Sequence, residues 1–504
     1  MTGLLRTDLP TSHKAHLAAS AFAGQGTYGT KTALAREYGV SRPTVYAAGE
    51  TGQTVLEEHF ARVEEGAEVV WVKVDRAQLV RAIVALRVVA PNSLRAIEAL
   101  VPIVYPGVER SYGWIQGICA EAEAKAAAFN EGVDLSAVQA GALDEMFSQG
   151  DPVLASVDLD SGHLFSLWLR ESRSGDDWAE VLRLAKAQGL ELEVVVKDAA
   201  GGIAAGVTAV YPEAEQRDDC FHAKYETGKV RRRLEQTAYG AIHREMEAEQ
   251  AVYKASRKIG GNVRKAAGLL ASARKKCREA IERFDAFDRA AKMSSDAMEF
   301  VDLETGHIRG AEEIRTGVES AATAMQESAF EPAHKVGKYL ANRAAGLARY
   351  MEVLGEQLHE IGEHFGPKQV ALACIIWQLL AILRGCTNDI ERIRHQRHLA
   401  GAFAMLRDLA GEDARAVFEA VDLALQHRHR ASSAIEGFNA ALRPFLYVHK
   451  GVTQGFLGLF QAHYNLRTRR WGRHKGTSAH EQLTGERVDD WLSVLGYPPG
   501  AAVH

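Results

Sequence analysis

The sequence predicts a multidomain chain that is α/β in its middle and all-α on either side. Three observations predict it. Short helical patterns punctuated by glycine fill the N-terminal part. Between residues 137 and 198, runs of strand length separated by turn residues surround one amphipathic helix. From about Tyr225 to Arg428, apolar residues recur at helical spacing, so a large helical region interrupts the α/β part.

The 504 residues are 47% hydrophobic, enough to build several cores. A net charge of -5 does not advertise a nucleic-acid partner, so any such partner has to be met by local basic patches. Five cysteines, Cys119, Cys220, Cys277, Cys374 and Cys386, are scattered without a CxxC pair, which fits reduced thiols in a cytoplasm. The N-terminal residues lack an apolar signal core. The most apolar run, residues 371–383, counts 13 residues, too short to span a bilayer and expected as a buried helix without a membrane partner.

Residues 30–47 read TKTALAREYGVSRPTVYA. Ala33, Leu34 and Ala35 open a short helix, Gly39 makes the turn, and Ser41 caps a second helix through Val45 and Tyr46. This is a helix-turn-helix pattern. If its second helix enters a major groove, Ser41, Arg42, Thr44 and Tyr46 face phosphates and bases; an ordinary helical hairpin has the same spacing. A similar pair, residues 93–107 and 111–129, is joined by a Pro-Gly turn and is either a second DNA-binding unit or plain helical packing.

AVQAGALDEMF, PVLASVDLDSG and HLFSLWLRES then predict three antiparallel strands, with turns at Gln149-Gly150-Asp151 and Asp160-Ser161-Gly162. Residues 175–190 form an amphipathic helix with Trp178, Val181, Leu182 and Ala185 on one face and Gly189 at its end. Val194, Val195 and Val196 read as a buried strand ending on Asp198. Three strands, a helix and a fourth strand is the opening order of a ribonuclease-H-like sheet.

In such a sheet an acid midway along the first strand lies beside one at the end of the fourth, and the candidates are Asp144 and Asp198. Paired carboxylates are costly unless a cation neutralises them, and hard Mg²⁺ suits oxygen ligands. Both residues would equally serve as turn caps, the duty expected of Asp158 and Asp160 at the hairpin tip. The segment GGIAAG, residues 201–206, fails both the GxGxxG and the P-loop spacing.

His222, between Asp219 and the basic residues 229–233, is a candidate phosphate contact or proton carrier, or an ordinary structural histidine. Val230, Leu234, Ala238, Ile242 and Met246 then recur at four-residue spacing until Gly260-Gly261 breaks the rod. Basic clusters at 229–233, 274–278 and 392–398 are solvated helix faces or, together, a surface that tracks phosphates. In RASSAIEGFNAALRPFL, Ser432 or Ser433 caps a helix with Ile435, Phe438, Ala441 and Leu442 on its apolar face, leaving Glu436 and Asn439 together on another. Glu436 is either a third metal ligand or a first-turn carboxylate that favours the helix dipole.

LDEMF around Asp144, VVKD ending on Asp198, DCFHAK with Asp219, Phe221 and His222, and SSAIEGFN around Glu436 together resemble the motifs of DDE transposases of bacterial insertion sequences. The likeness is closest to groups with a long helical insertion before the Glu, as in Mutator-like relatives. The resemblance implies Asp144, Asp198 and Glu436 as an acidic triad binding two Mg²⁺ or Mn²⁺ ions, with His222 nearby. The gap of 436 − 198 = 238 residues would hold the insertion. Asp158 stays open as an alternative first acid. The ending NLRTRRWGRHKGTSAHEQLTG resembles the basic ending of many such enzymes. Its Arg467, Arg469, Arg470, Arg473 and Lys475, interleaved with Trp471, would grip phosphate and stack on a base, or form a solvated loop.

The expected divisions are a helix-turn-helix domain (1–60), a second helical DNA-binding domain (61–135), a catalytic domain in two parts (136–225 and 429–485), the helical insertion (226–428) and a C-terminal tail (486–504). The expected activity is cleavage and strand transfer at the terminal inverted repeats of a mobile element, with metal as the sole cofactor. Double-stranded DNA, as element ends and target, is the expected partner, in a nucleoid-associated homodimer or larger assembly. The alternative is a domesticated regulator that binds DNA without cutting it.

Overall fold

The computed structural model describes residues 9–64, 74–198, 200–448 and 451–499. The chain divides into two compact units between Val74 and Asp75. The expected boundary at residues 60 and 61 adjoins residues 65–73, which lie outside the described residues, as do residues 1–8 and 500–504 of the expected end domains.

The first unit holds α1 (Thr11–Ala23), α2 (Thr30–Glu37) and α3 (Arg42–Glu64) around Leu17, Ala21, Leu34, Val40 and Val45. Gly39 turns the chain at φ 61°, a conformation glycine adopts without a Cβ penalty. Ser41 Oγ accepts from Thr44 N at 3.4 Å and starts α3. Helix α3 runs much further than the short motif implies, although it contains two glycines. Gly49 and Gly52 lie against Ala21 and Ala18 of α1, so close helix packing outweighs their poor propensity.

The second unit begins with α4 (Arg76–Val89), α5 (Leu94–Val104) and α6 (Tyr112–Glu131), capped by Asp75, Ser93 and Ser111. The sheet follows: β1 (Ala140–Ser148), β2 (Asp151–Asp158) and β3 (Leu164–Leu169), then α7 (Gly175–Lys186), β4 (Val194–Lys197), α8 (Gly201–Val210) and β5 (Glu215–Asp218). The strand order is β3-β2-β1-β4-β5, antiparallel across β1, β2 and β3 and parallel across β1, β4 and β5. The polar fifth strand, EQRD, has no apolar pattern to mark it in the sequence.

The helical region comprises α9 (Cys220–Arg257), α10 (Val263–Ala297), α11 (Ala311–Gln326), α12 (Glu331–Ala341), α13 (Ala344–Ala348), α14 (Tyr350–Phe365), α15 (Pro367–Gly385), α16 (Asp389–Ala410) and α17 (Ala414–Gln426). The chain closes with α18 (Ser433–Val448), α19 (Gln454–Leu466), α20 (Ala479–Thr484) and α21 (Trp491–Val494).

Three expectations change. Residues 75–135 do not make a core of their own: Leu79, Ile83, Ile97, Ile115 and Ala122 share one with Ala142 and Val153 of the sheet and Phe438 of α18. The segment from 486 onward is no loose tail, because Val488, Leu492, Leu495 and Tyr497 enter that core and Asp490 pairs with Arg81 at 2.8 Å. Helix α15 has 19 residues, not 13, and is long and apolar enough to cross a membrane by length and composition. Its Val370, Ala373, Cys374, Ile376 and Leu379 are buried in the helical core.

Candidate active site

The site starts from strand register. Parallel pairing of Ala142 with Val196 and Leu143 with Lys197 brings the next residues, Asp144 and Asp198, alongside each other. Side chains alternate across a sheet, so Asp144 shares a face with Ala142 and Met146, which pack in the core that includes α18. Glu145 points the other way. Its carboxylate accepts from Trp178 Nε1 at 3.0 Å and pairs with Arg173 at 2.8 Å.

Helix α18 closes the site because Ile435, Phe438, Leu442 and Phe445 are all buried in that core. This turns the adjacent stripe, which carries Glu436 and Asn439, towards Asp144. Asn439, 2% exposed, donates its Nδ2 to Asp144 Oδ2 at 2.6 Å, and the backbone N–H of Glu145 donates to the other oxygen at 2.8 Å. The start of α18 is fixed by Ser432, which donates to Asp219 Oδ2, and by the Cys220 N–H, which donates to the Arg430 carbonyl at 3.1 Å. Asp219 also caps α9 by accepting from Phe221 N at 2.7 Å. One buried carboxylate thus ties together the end of β5, the start of the helical region and the return of the chain at α18.

Burial pushes the Asp144 carboxyl up to about 6, and the carboxylates of Asp198 and Glu436 push it the same way against the hydrogen bonds from Glu145 and Asn439. Asp198 ends its strand by accepting from Ala200 N at 2.8 Å, so its turn-capping duty is real. It also lines a cleft of about 420 Å³ with Glu145, Arg173, Ala200, Gly201 and Gly202. Among the described residues, no group of three His, Cys, Asp or Glu side chains has the spacing to hold a metal ion as it stands. The side chains nevertheless fit one in kind: Asp198 and Glu436 both act on the buried Asp144 carboxyl, and a hard cation between such carboxylates would relieve it.

The other candidates fall elsewhere. Asp158, 3% exposed, accepts from Ser161 N at 2.8 Å and is committed to the hairpin tip. His222 faces its own helix, 3.7 Å from Glu226 and with its ring 6.2 Å from that of Tyr225. In the basic ending, Arg469 donates to the Gly162 carbonyl at 3.0 Å and locks the hairpin, so it is partly buried instead of free. Arg467 lies over the Tyr464 ring and Arg473 donates to Gln426 Oε1 at 3.0 Å, while Arg470, Trp471 and Lys475 are exposed. In the first unit, Ser41, Arg42 and Tyr46 are exposed and Thr44 half-buried, with Lys31 over the Tyr46 ring at 3.8 Å. The sequence places Asn439 beside Glu436 but carries no local signal of its bond to Asp144, and none of the linking duty of Asp219.

No family model matches the chain, and no curated protein matches it. Among solved structures, it matches a chain of a Drosophila P element transposase strand transfer complex. The match has 12% identity, covers 76% of this chain and 100% of that one, and has a TM-score of 0.28. Superposition that poor leaves the geometry above as this chain's own.

Proposed function

We propose that the chain is a DDE-type transposase that cuts and rejoins DNA at the ends of a mobile element. The observation that carries this is the register that sets Asp144 beside Asp198, with Asn439 hydrogen-bonded to Asp144 from the helix that bears Glu436 and returns 238 residues after Asp198. Asp144, Asp198 and Glu436 would hold Mg²⁺ or Mn²⁺, two ions by the resemblance, and these supply charge stabilisation at the attacking and leaving oxygens. The chain's own part is to hold the three carboxylates: Asn439 orients Asp144, and the Asp219–Ser432 bond fixes the turn that bears Glu436. In the reaction, water adds to phosphorus as the P–O3′ bond breaks. The freed 3′-hydroxyl then displaces an oxygen from a target phosphodiester in the same way.

Duplex DNA as partner is supported by local charge. Between residues 250 and 278 lie Lys254, Arg257, Lys258, Arg264, Lys265, Arg274, Lys275, Lys276 and Arg278 and no Asp or Glu, although the whole chain is acidic. These residues occupy the far end of the α9–α10 hairpin. Beyond Ala241 α9 buries no side chain for its last 257 − 241 = 16 residues, roughly 24 Å of helix. Ser41, Arg42, Thr44 and Tyr46 of the first unit and Arg467, Arg470, Trp471, Arg473 and Lys475 are further DNA contacts in this reading. Pairing two ends requires a homodimer or larger assembly.

The test is incubation of the protein with Mg²⁺ and a duplex carrying the DNA that flanks its coding region. Wild type is expected to nick at the element end and to join that 3′ end to a second duplex, and Asp198→Asn to lose both. Binding without any nicking would favour the non-cutting regulator instead.

A further inference from the structure

A cavity of about 1090 Å³ opens between the first turn of α18, the ends of α15 and α17, the start of α9 and the loop containing Gly472 to His474. Its wall carries Lys224, Arg384, Arg428, Arg430 and Arg473 against one carboxylate, Asp422. The two sets are not paired with each other. Asp422 is occupied by Trp377 Nε1 at 2.9 Å and Gln426 Nε2 at 2.7 Å. Lys224 and Arg430 share Glu299, at 2.5 and 2.9 Å.

Among the described residues, Arg384, Arg428 and Arg473 have no carboxylate within ion-pair distance. Arg428 is the most exposed to the consequence. Its guanidinium lies over the Trp377 ring at 4.2 Å, and its Nη1 is buried without a hydrogen-bond partner. Burial first, and Arg430 beside it, push its pKa down to about 9. The carboxylate that acts on it, Glu299, is already shared by Lys224 and Arg430; a buried cation so short of counter-charge is costly, and an anion entering the cavity would relieve it. The backbone of Ser433 and Ala434 adds the positive end of the α18 dipole to the same wall.

We propose that this cavity is a phosphate-binding site that holds the backbone of a nucleic-acid strand leading to Glu436. The volume decides against a single small anion, since it lies just above the range of about 300–1,000 Å³ usual for whole-ligand pockets. Trp471, 79% exposed and next in the chain to Gly472 of the wall, offers a ring on which a base can stack, which an inorganic phosphate chain does not use. Nucleic acid as the source of the phosphates rests on the proposed function; the anion site itself does not.

The experiment uses the full chain, a fluorescent single-stranded oligonucleotide and tripolyphosphate, with anisotropy followed over a salt series. In the Arg384→Glu/Arg473→Glu variant, oligonucleotide affinity is expected to fall at least tenfold. The slope of log K against log salt should shrink by about 1.4, two contacts at about 0.7 each for a single strand. Unchanged affinity and slope would overturn the proposal, and so would tripolyphosphate binding as tightly as the oligonucleotide. Should that variant unfold by circular dichroism, Arg384→Gln/Arg473→Gln carries the same expectation at smaller size. Nicking separates the two readings. Loss of oligonucleotide binding in a protein that nicks nothing leaves the cavity standing and removes the transposase; nicking abolished by Asp198→Asn with binding untouched by the cavity variants does the reverse.

Discussion

Asp144 sits where a strand register and a helix face meet, with Asp198 and Glu436 near enough to act on its charge, and its protonation reports on all three. Its folded carboxyl titrates near 6, above the ordinary value of 3.8, so the native state keeps a proton that the unfolded chain has lost. Stability from this group is therefore greatest below about pH 4 and declines as pH rises through 6. Replacing the charge by Asp144→Asn should stabilise the protein at pH 8, by about 3 kcal/mol at most for a shift near two units, and do little at pH 4; thermal melts at the two pH values check this. Asn439→Ala should cost about 1–3 kcal/mol at pH 8 by removing the donor to a buried carboxylate, measured by urea unfolding. That Asp144 lies midway along a strand, Asp198 after a strand end and Glu436 in the first turn of a helix was legible in the sequence because such elements are local patterns. Asn439's partner was not, since Asp144 lies 295 positions upstream and only the fold sets that distance aside.

Close approach of α8 to α7 and to Arg173, two residues before α7, explains two of the glycines that follow Asp198, Gly202 and Gly206. A Cβ on Gly206 would meet the Trp178 Cβ at 2.4 Å, and one on Gly202 the Arg173 carbonyl at 2.1 Å. These positions serve close helix approach, which is why GGIAAG looks glycine-rich yet matches no phosphate loop. Gly206→Val should destabilise by about 1–3 kcal/mol or more through overpacking, seen as a lower urea midpoint with an unchanged slope. Strands β1 to β3 were readable as apolar runs of strand length bounded by turns, buried on both faces, and helix α7 because one buried face imposes a period of 3.6. Strand β5 was not, because EQRD is held by parallel pairing with β4 and by Arg217, whose Nη1 donates to the Arg428 carbonyl at 2.8 Å, a contact across 211 positions.

At the scale of the whole molecule, the long excursion between Asp198 and Glu436 was visible as predominantly helical periodicity, broken at Gly260-Gly261 and by a strand-like passage at 298–310 where Val301 bridges Ile308. How the chain returns was not. Arg430 to Glu299 and Ser432 to Asp219 bind the return to both the helical region and the sheet, and no local signal marks such pairs. The early helices and the last segment were misjudged as separate for the same reason: an amphipathic face states that it is buried, not against what. The shared core also holds histidines. Burial lowers His163 and His463 to about 3, so both stay neutral in the native state. Their contribution is complete above the unfolded value of 6.5 and is lost as pH falls towards 3, because the unfolded chain takes protons first. Urea unfolding should weaken over that window, and His463→Gln should reduce the slope by up to one proton equivalent.

The central claim is that Asp144, Asp198 and Glu436 form one cation site. Its most direct measurement is Mn²⁺ binding followed by electron paramagnetic resonance in wild type and in Asp144→Asn, Asp198→Asn and Glu436→Gln, each first verified as folded. Saturable binding that weakens at least tenfold in every variant is the predicted result. Wild-type affinity retained in any one of the three would remove that residue from the site and contradict the claim.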